Sequence, residues 1–522
     1  MNLLRTLTIS LLLTSALMIV DARFLLRPAL HKGLSAANTD KQSTASSTAK
    51  PLTHREWPKH RARASQTQQL HSLSPFINNG EKLTRESIQL RKFPYPYDAM
   101  LAITSDTDGM TLQKFELIHR FLNTKEDTPL GRGLGLDVGD SFFFFIGTDR
   151  PGFLDKSLHT VWQDQMSYFY RLSPNLLHDA KEIIFYSKVG WIDSLHSLGD
   201  FSMMDSHATL FQRHFAEIAM NALKENHLQY AVWINHGNES NVGNFGNPDS
   251  NYQQGDLPAS PYYIADLMLK SGVKFIWTRR DSKFGERTML YPIELRDGHK
   301  CWGFYRYTDD GYQPLLGVLW NWNPRQLHSQ LSVQHLADLK LHHEYSIVAQ
   351  HLGGNPNRMP FYGDNLKALI RLKQEYEQGH ILVARTSRLL QYNEVQQYLH
   401  ANVKIHDHHV IIAIDEVRDP VLGTYRPTLE QLRGITFYTP NPFATSLQIG
   451  TNLVSQSQLT YNPPDSTGLP SLSIKWWPAD VTDYTKQAPH NRSHAQTVKI
   501  DKNWLPRINE DNLPWIFKED HL

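Results

Sequence analysis

Cysteine is almost absent: Cys301 is the only one in 522 residues, so neither an intramolecular disulfide nor a cysteine-based metal site can form. Its setting, Gly298-His299-Lys300-Cys301-Trp302, carries no nucleophile signature and reads as a buried free thiol. An excess of one charge is equally lacking. The net charge is +1 with no long basic block, which excludes a phosphate-tracking nucleic-acid surface. No internal repeat occurs, and Gly131-Arg132-Gly133-Leu134-Gly135 lacks the Lys-Ser/Thr that a phosphate-binding loop needs.

Long apolar runs are missing except near the start. There Arg5 precedes an uncharged run, 6–20, rich in Leu, Ile and Ala. Residues 1–22 therefore read as a secretory signal or a short membrane anchor. The segment Asp21-Ala22-Arg23 is a poor cleavage site, so both outcomes stay open. Either one places the bulk of the chain outside the cytoplasm: periplasmic, secreted, or held on the outer side of the cytoplasmic membrane. Residues 23–92, rich in Ser, Thr, Ala, Gln and His, read as a flexible spacer.

What is present describes a globular protein with a sizeable core, at 40% hydrophobic and 20% charged residues. Twelve Trp, 22 Tyr and 23 Phe supply that core first, with some left to meet sugar rings. The length suggests two folded domains. Between 93 and 401, strand-like runs at 99–104, 141–146, 230–235, 273–277, 315–320, 345–349 and 381–384 alternate with helical segments. Such alternation predicts an α/β fold with parallel strands, and a closed β/α barrel is its natural form at this length. From 402 to 482 the pattern changes to short strands between Asn, Pro, Gly and Ser, which predicts a small β-sandwich-like appendage. Residues 483–522 read as an irregular tail.

Two constellations carry candidate chemistry. In Thr104-Ser105-Asp106-Thr107-Asp108-Gly109, carboxylates two apart at a strand end point the same way, as a metal ligand beside a general base would. An Asx-type turn capping the next helix accounts equally for either Asp alone. In His196-Ser197-Leu198-Gly199-Asp200, residues four apart share a face of a turn and can chelate one cation, or form a surface pair.

Together these segments resemble the polysaccharide deacetylase family of carbohydrate esterases. Thr104-Ser105-Asp106-Thr107-Asp108-Gly109 is similar to its Thr-Phe-Asp-Asp-Gly motif, with Thr107 inserted. Ser141-Phe142-Phe143-Phe144-Phe145-Ile146-Gly147 resembles its second-strand Thr-Phe-Phe-x-x-Gly. His196-Ser197-Leu198-Gly199-Asp200 resembles its His-Ser/Thr-x-x-His metal motif, with Asp200 where a second His would stand. Trp233-Ile234-Asn235-His236-Gly237-Asn238 occupies the place of its Arg-x-Pro-Tyr segment, without the Arg that orients the catalytic Asp. Ala349-Gln350-His351 resembles its closing Leu-x-His.

The resemblance implies a distorted, seven-stranded barrel that removes acetyl groups from an envelope or extracellular polysaccharide. It implies Asp106 as base, His351 as acid, and Asp108, His196 and Asp200 as ligands. His236, Asn238 and Trp277 become substrate-binding positions, with His236 also open to taking over the missing Arg's role. The ion implied is zinc, with cobalt, manganese and nickel open. Two other readings remain at this level: a glycoside hydrolase pairing Asp106 with Asp193 or Glu239, and a non-catalytic glycan-binding or assembly protein. Oligomeric state is not legible. His406-Asp407-His408-His409 reads as a solvated turn, and Asn238-Glu239-Ser240 and Asn491-Arg492-Ser493 match the glycosylation sequon.

Overall fold

The computed structural model describes residues 87–489, apart from 149–153, 156–159, 162–164, 310, 314–316, 320–321 and 355–359. The signal or anchor segment, nearly all of the spacer and most of the tail lie outside the described residues. No helix among the described residues is long and apolar enough to cross a membrane.

The chain folds as mixed α/β around one nine-stranded sheet. Its strands are β1 (Ala99–Ser105), β2 (Gly139–Phe142), β3 (Ile192–His196), β4 (Val232–Ile234), β5 (Phe275–Trp277), β6 (Leu290–Glu294), β7 (Lys300–Phe304), β8 (Tyr345–Gln350) and β9 (Ile381–Val383). They run in the order β6-β7-β5-β4-β3-β2-β1-β8, with β9 on the edge of β1 that β2 shares. Every pairing is parallel except β6 with β7. Beyond β7, Tyr307 bridges Val348 of β8, so the chain leaving one end of the sheet touches the other end.

The alternation of side chains sorts two cores. In β1, Ala99, Leu101 and Ile103 join one apolar cluster, and Met100 and Ala102 the other. The first cluster lies under helices such as α1 (Leu112–Asn123) and α3 (Arg213–Glu225), with α2 (Ala180–Val189) between them in sequence. Thr111 starts α1 by accepting the Lys114 N–H at 3.3 Å, and Phe115, Ile118, Phe121 and Leu122 form its buried stripe. Helices α4 (Ala265–Ser271), α5 (Val333–Leu341) and α6 (Gly363–Glu377) complete the connections.

Helix α7 (Thr386–Tyr398) differs from these. Leu389, Leu390, Tyr392 and Val395 are all buried, and they share the second cluster with Met100, Val232 and Phe275 on one side and Ile412, Leu432 and Leu447 on the other. The helix therefore packs between the large sheet and the C-terminal strands. It runs directly into β10 (Leu399–His406), which forms a hairpin with β11 (His409–Asp419) inside a five-stranded sheet. A four-stranded sheet pairs Gln89–Leu90 with Thr436–Tyr438, followed by Ser471–Ile474 and Leu459–Asn462.

Several elements differ from the expectation. The run 141–146 is not one strand: β2 ends at Phe142, and a separate strand, Phe145–Ile146, pairs with Gly199–Asp200. The β2–β3 register shifts between Ile192 and Ser194, and Phe143 bridges Ser167. All four phenylalanines, Phe142 to Phe145, are nonetheless buried. The run 315–320 falls partly outside the described residues, with Gly317–Leu319 in a small hairpin. Strand β7, buried on both faces after Lys300, and helix α7, whose buried positions include Thr386, Asn393 and Glu394, carry no strong periodic signal of their own.

Candidate metal centre

The inner-face parity of the strands delivers the site. Met100 and Ala102 of β1, Val232 and Ile234 of β4, Trp302 and Phe304 of β7, and Tyr345 and Ile347 of β8 all face the second cluster. Extending each alternation past the strand end reaches Asp106, His236, Arg306 and His351. The C-terminal ends of parallel strands thus aim four functional groups at one place. The β1–β8 register pairs Ser105 with Gln350, and the Asp106 N–H donates to Gln350 O at 2.8 Å, which sets Asp106 beside His351.

Asp108 is the hub. Its Oδ2 lies 3.0 Å from His196 Nε2 and its Oδ1 2.9 Å from His236 Nε2. One donor atom from each of Asp108, His196 and His236 falls within 4.8 Å of the others. A second group of the same kind contains Asp106, Asp108 and His351. Thr107 between the carboxylates turns away: its N–H donates to Ser141 Oγ at 3.1 Å, and its side chain is buried. Asp106 and Asp108 can then face the same way, and Gly109 at φ 66° turns the chain after them.

The hydrogen-bond logic separates the two groups. His196 Nδ1 sits 3.3 Å from Ile234 O, an acceptor, so Nδ1 carries the proton and Nε2 presents a lone pair. Nε2 faces a carboxylate oxygen at 3.0 Å, a contact that either a second proton on the imidazole or a bound cation satisfies. The Asp106 oxygens, by contrast, are both taken. Arg306 Nη1 donates to Oδ1 at 2.9 Å and Nη2 to Oδ2 at 3.0 Å, with the Arg306 side chain wholly buried. A guanidinium in that position opposes a cation on Asp106. Asp108, His196 and His236 are the better ligand set.

Outer contacts hold the ligands. His196 stacks on Phe143 at 5.0 Å, and His236 meets the same ring edge-on at 5.3 Å. Around His236 Nδ1 stand Asn241 Nδ2 at 3.0 Å, Ser202 Oγ at 3.4 Å and Asp200 Oδ1 at 3.8 Å. Asn241 is a donor, so Nδ1 as it stands accepts from it. When His236 gives its Nε2 lone pair to a cation the proton moves to Nδ1, where Ser202 Oγ is the acceptor within hydrogen-bond reach and Asp200 adds only its charge. Asp200 itself accepts the Ser202 N–H at 2.9 Å. It lies outside both ligand groups and behind His236.

Electrostatics follow the geometry. Burial pushes the Asp106 carboxyl up, but Arg306, His196 and His351 together hold it far below the usual carboxylate range. Asp108 is likewise held low, with His351, His236 and His196 outweighing its burial. Burial lowers His236, and Asp108 and Asp200 more than reverse this, leaving it at about 9.

The remaining sequence-derived positions scatter. His351 stands at the rim, with Nε2 3.4 Å from Asp106 Oδ2 and its ring stacked 4.9 Å from Trp322. Trp277 lies beneath the site, where its ring covers the Arg306 guanidinium at 4.3 Å. Asn238 is a turn residue at φ 74°, its Oδ1 accepting the Ser240 N–H at 2.8 Å. Asp193 accepts the Ser387 N–H at 2.9 Å at the start of α7, and Glu239 is exposed. Arg306 was absent from the sequence-derived set. Its signal is the alternation Trp302, Phe304, Arg306, which marks one face of β7 carried one step further. No protein-family model matches the chain, and neither the curated proteins nor the solved structures yield a match.

Proposed function

We propose that this protein is a metal-dependent hydrolase that removes acetyl groups from a polysaccharide outside the cytoplasm. The observation that carries the reading is the convergence of Asp108, His196 and His236 beside an arginine-held carboxylate, Asp106, and a rim histidine, His351. Two imidazoles, neutral once a bound ion displaces the proton of His236, and one carboxylate suit zinc first, with cobalt, manganese and nickel compatible. Asp108 remains 30% exposed, so the ligand set opens toward solvent on one side.

A bound divalent ion supplies Lewis acidity, which polarises a carbonyl and acidifies water. The chain's own groups divide the rest. Asp106, kept ionised by Arg306, accepts the proton of the attacking water. Arg306 fixes the carboxylate's plane, and Trp277 screens that guanidinium from the core below. His351 donates a proton to the departing amine or alkoxide. Ser202 Oγ can accept from His236 Nδ1 in the ligating tautomer, and the Asp200 charge 3.8 Å away favours a proton there.

A barrel of the deacetylase type is part of the same proposal. Eight parallel strands that end at one face, and the Tyr307–Val348 bridge from the chain beyond β7 to β8 at the other side of the sheet, support it. Export is supported by the uncharged run 6–20 behind Arg5.

The test is acetate release from a panel of acetylated oligosaccharides by zinc-loaded protein, before and after chelation. Acetate that appears with zinc and stops with chelator is the expected result. New reducing ends without acetate, unaffected by chelator, would replace the proposal with glycosidic cleavage.

A further inference from the structure

Asp108 sits in a turn, and the peptide of Thr107 anchors that turn. Thr107 O accepts the Met110 N–H at 3.0 Å, which closes a β-turn over residues 107–110. Asp108 takes the second position of the turn, and Gly109, at φ 66°, takes the third. A four-residue turn beyond a strand end has only one hydrogen bond of its own. Steady placement of the Asp108 carboxylate therefore needs attachments from outside the turn.

Two buried side chains supply them. Ser141 Oγ accepts the Thr107 N–H at 3.1 Å, and Gln165 Nε2 donates to Thr107 O at 3.2 Å from 58 residues away in sequence. The backbone beside Gln165 repeats the attachment. Gln165 bridges Thr111 antiparallel, and the Met166 N–H donates to Met110 O at 2.7 Å. One edge of the segment 165–168 thus holds the turn at both of its ends.

The other edge of the segment reaches the histidines. Ser167 bridges Phe143, and the Tyr168 N–H donates to Phe143 O at 2.9 Å. Phe143 is the ring that stacks on His196 at 5.0 Å and meets His236 edge-on at 5.3 Å. The segment therefore ties the turn that carries Asp108 to the ring that backs both imidazoles. Burying an amide costs free energy that a methionine of the same length does not, unless the amide makes a specific hydrogen bond. At Gln165 that bond goes to the Asp108 turn.

We propose that Gln165, with Ser141, positions the metal centre by fixing the Thr107 peptide, so that the Asp108 carboxylate keeps its place opposite His196 and His236. The proposal rests on the metal-dependent reading of that centre, and adds what sets its ligand geometry. Both residues act through Asp108, so their effect shows first in how a cation is held.

The experiment titrates metal-free, full-length protein with zinc against a chromophoric chelator, and records the visible spectrum of the cobalt-loaded protein, which reports ligand geometry. Gln165→Met keeps the length of the side chain without its donor, and Ser141→Ala removes the acceptor on the other side of the peptide. Thermal unfolding of the metal-free variants shows which are folded, and either folded variant carries the test. Zinc affinity weakened about tenfold, with an altered cobalt spectrum, is the expected result. Wild-type zinc affinity in the folded variants, or weaker binding with an unaltered cobalt spectrum, would overturn it. Acetate release by the wild type separates the two claims. Release, with variants that hold zinc and cobalt as the wild type does, removes the positioning role alone. Variant-sensitive zinc binding and cobalt spectra without release remove the hydrolase alone.

Discussion

Arg306 grips both carboxylate oxygens of Asp106, at 2.9 and 3.0 Å, across 200 residues of sequence. The pair is buried, and each partner is costly without the other. Arg306→Ala leaves Asp106 uncompensated and is expected to lower stability by about 3–5 kcal/mol, read from denaturant midpoints. Arg306→Lys keeps the charge but loses the fork. It should retain zinc binding while acetate release falls by roughly 100-fold, the scale of a misplaced reacting group. Normal turnover in Arg306→Lys would show that the fork does not position Asp106.

Zinc titration separates the ligands from their supports. His196→Ala and His236→Ala each remove a ligand and should abolish stoichiometric binding. Asp200→Asn removes only the carboxylate charge behind His236, 3.8 Å from Nδ1, and should weaken binding by about 10-fold. Equal losses in Asp200→Asn and His236→Ala would make Asp200 a ligand after all.

Stability should depend on pH through Glu394 of α7. Burial raises its carboxyl from 4.5 to about 7, while the Tyr425 hydroxyl donates to Oε1 at 2.7 Å and Asp419 lies beside it. Below pH 4.5 the carboxyl is protonated in both the folded and the unfolded chain and contributes no difference. Between there and pH 7 only the unfolded chain ionises, so stability falls by about 1.4 kcal/mol per pH unit. Above pH 7 both forms are ionised and the loss is constant. Glu394→Gln removes this penalty, and should be more stable than wild type by about 3 to 4 kcal/mol at pH 8 but not at pH 4. A constant difference across that range would contradict the assignment.

Helix α7 joins the large sheet to the C-terminal strands, and Leu390 is wholly buried there. Leu390→Ala should cost about 2–5 kcal/mol, through lost transfer energy and the cavity left behind. Thermal unfolding measures it, and a loss below about 1 kcal/mol would mean the site collapses freely.

The sequence carried the parts of this arrangement that are local. Asp106 and Asp108 announce themselves by two-residue spacing at a strand end, and strands such as 99–104 and 345–349 stand out as apolar runs. Contacts between distant segments were harder to see. His236 was recognisable as a strand-end histidine, but only the shared inner-face parity of Val232 and Ile234 turns it toward Asp108. Arg306 needed β7 to be recognised first, and Lys300-Cys301-Trp302-Gly303-Phe304 lacks the β-branched residues that mark a strand. Asp200 was set in the ligand position by its four-residue spacing from His196. That spacing would share a face in a helical turn, whereas His196 ends one strand and Asp200 ends another. The helix at 386–398 escaped for a different reason: its buried positions mix Thr386, Asn393 and Glu394 with Leu389, Leu390, Tyr392 and Val395, so no amphipathic stripe marks it.

The most direct measurement is acetate release by zinc-loaded Asp106→Asn protein, with zinc content determined on the same sample. Asn keeps the shape but cannot accept the water's proton. The account predicts full zinc occupancy at Asp108, His196 and His236 with acetate release reduced by roughly 100- to 10,000-fold, the usual share of general base catalysis. Undiminished acetate release from a zinc-replete variant would contradict it.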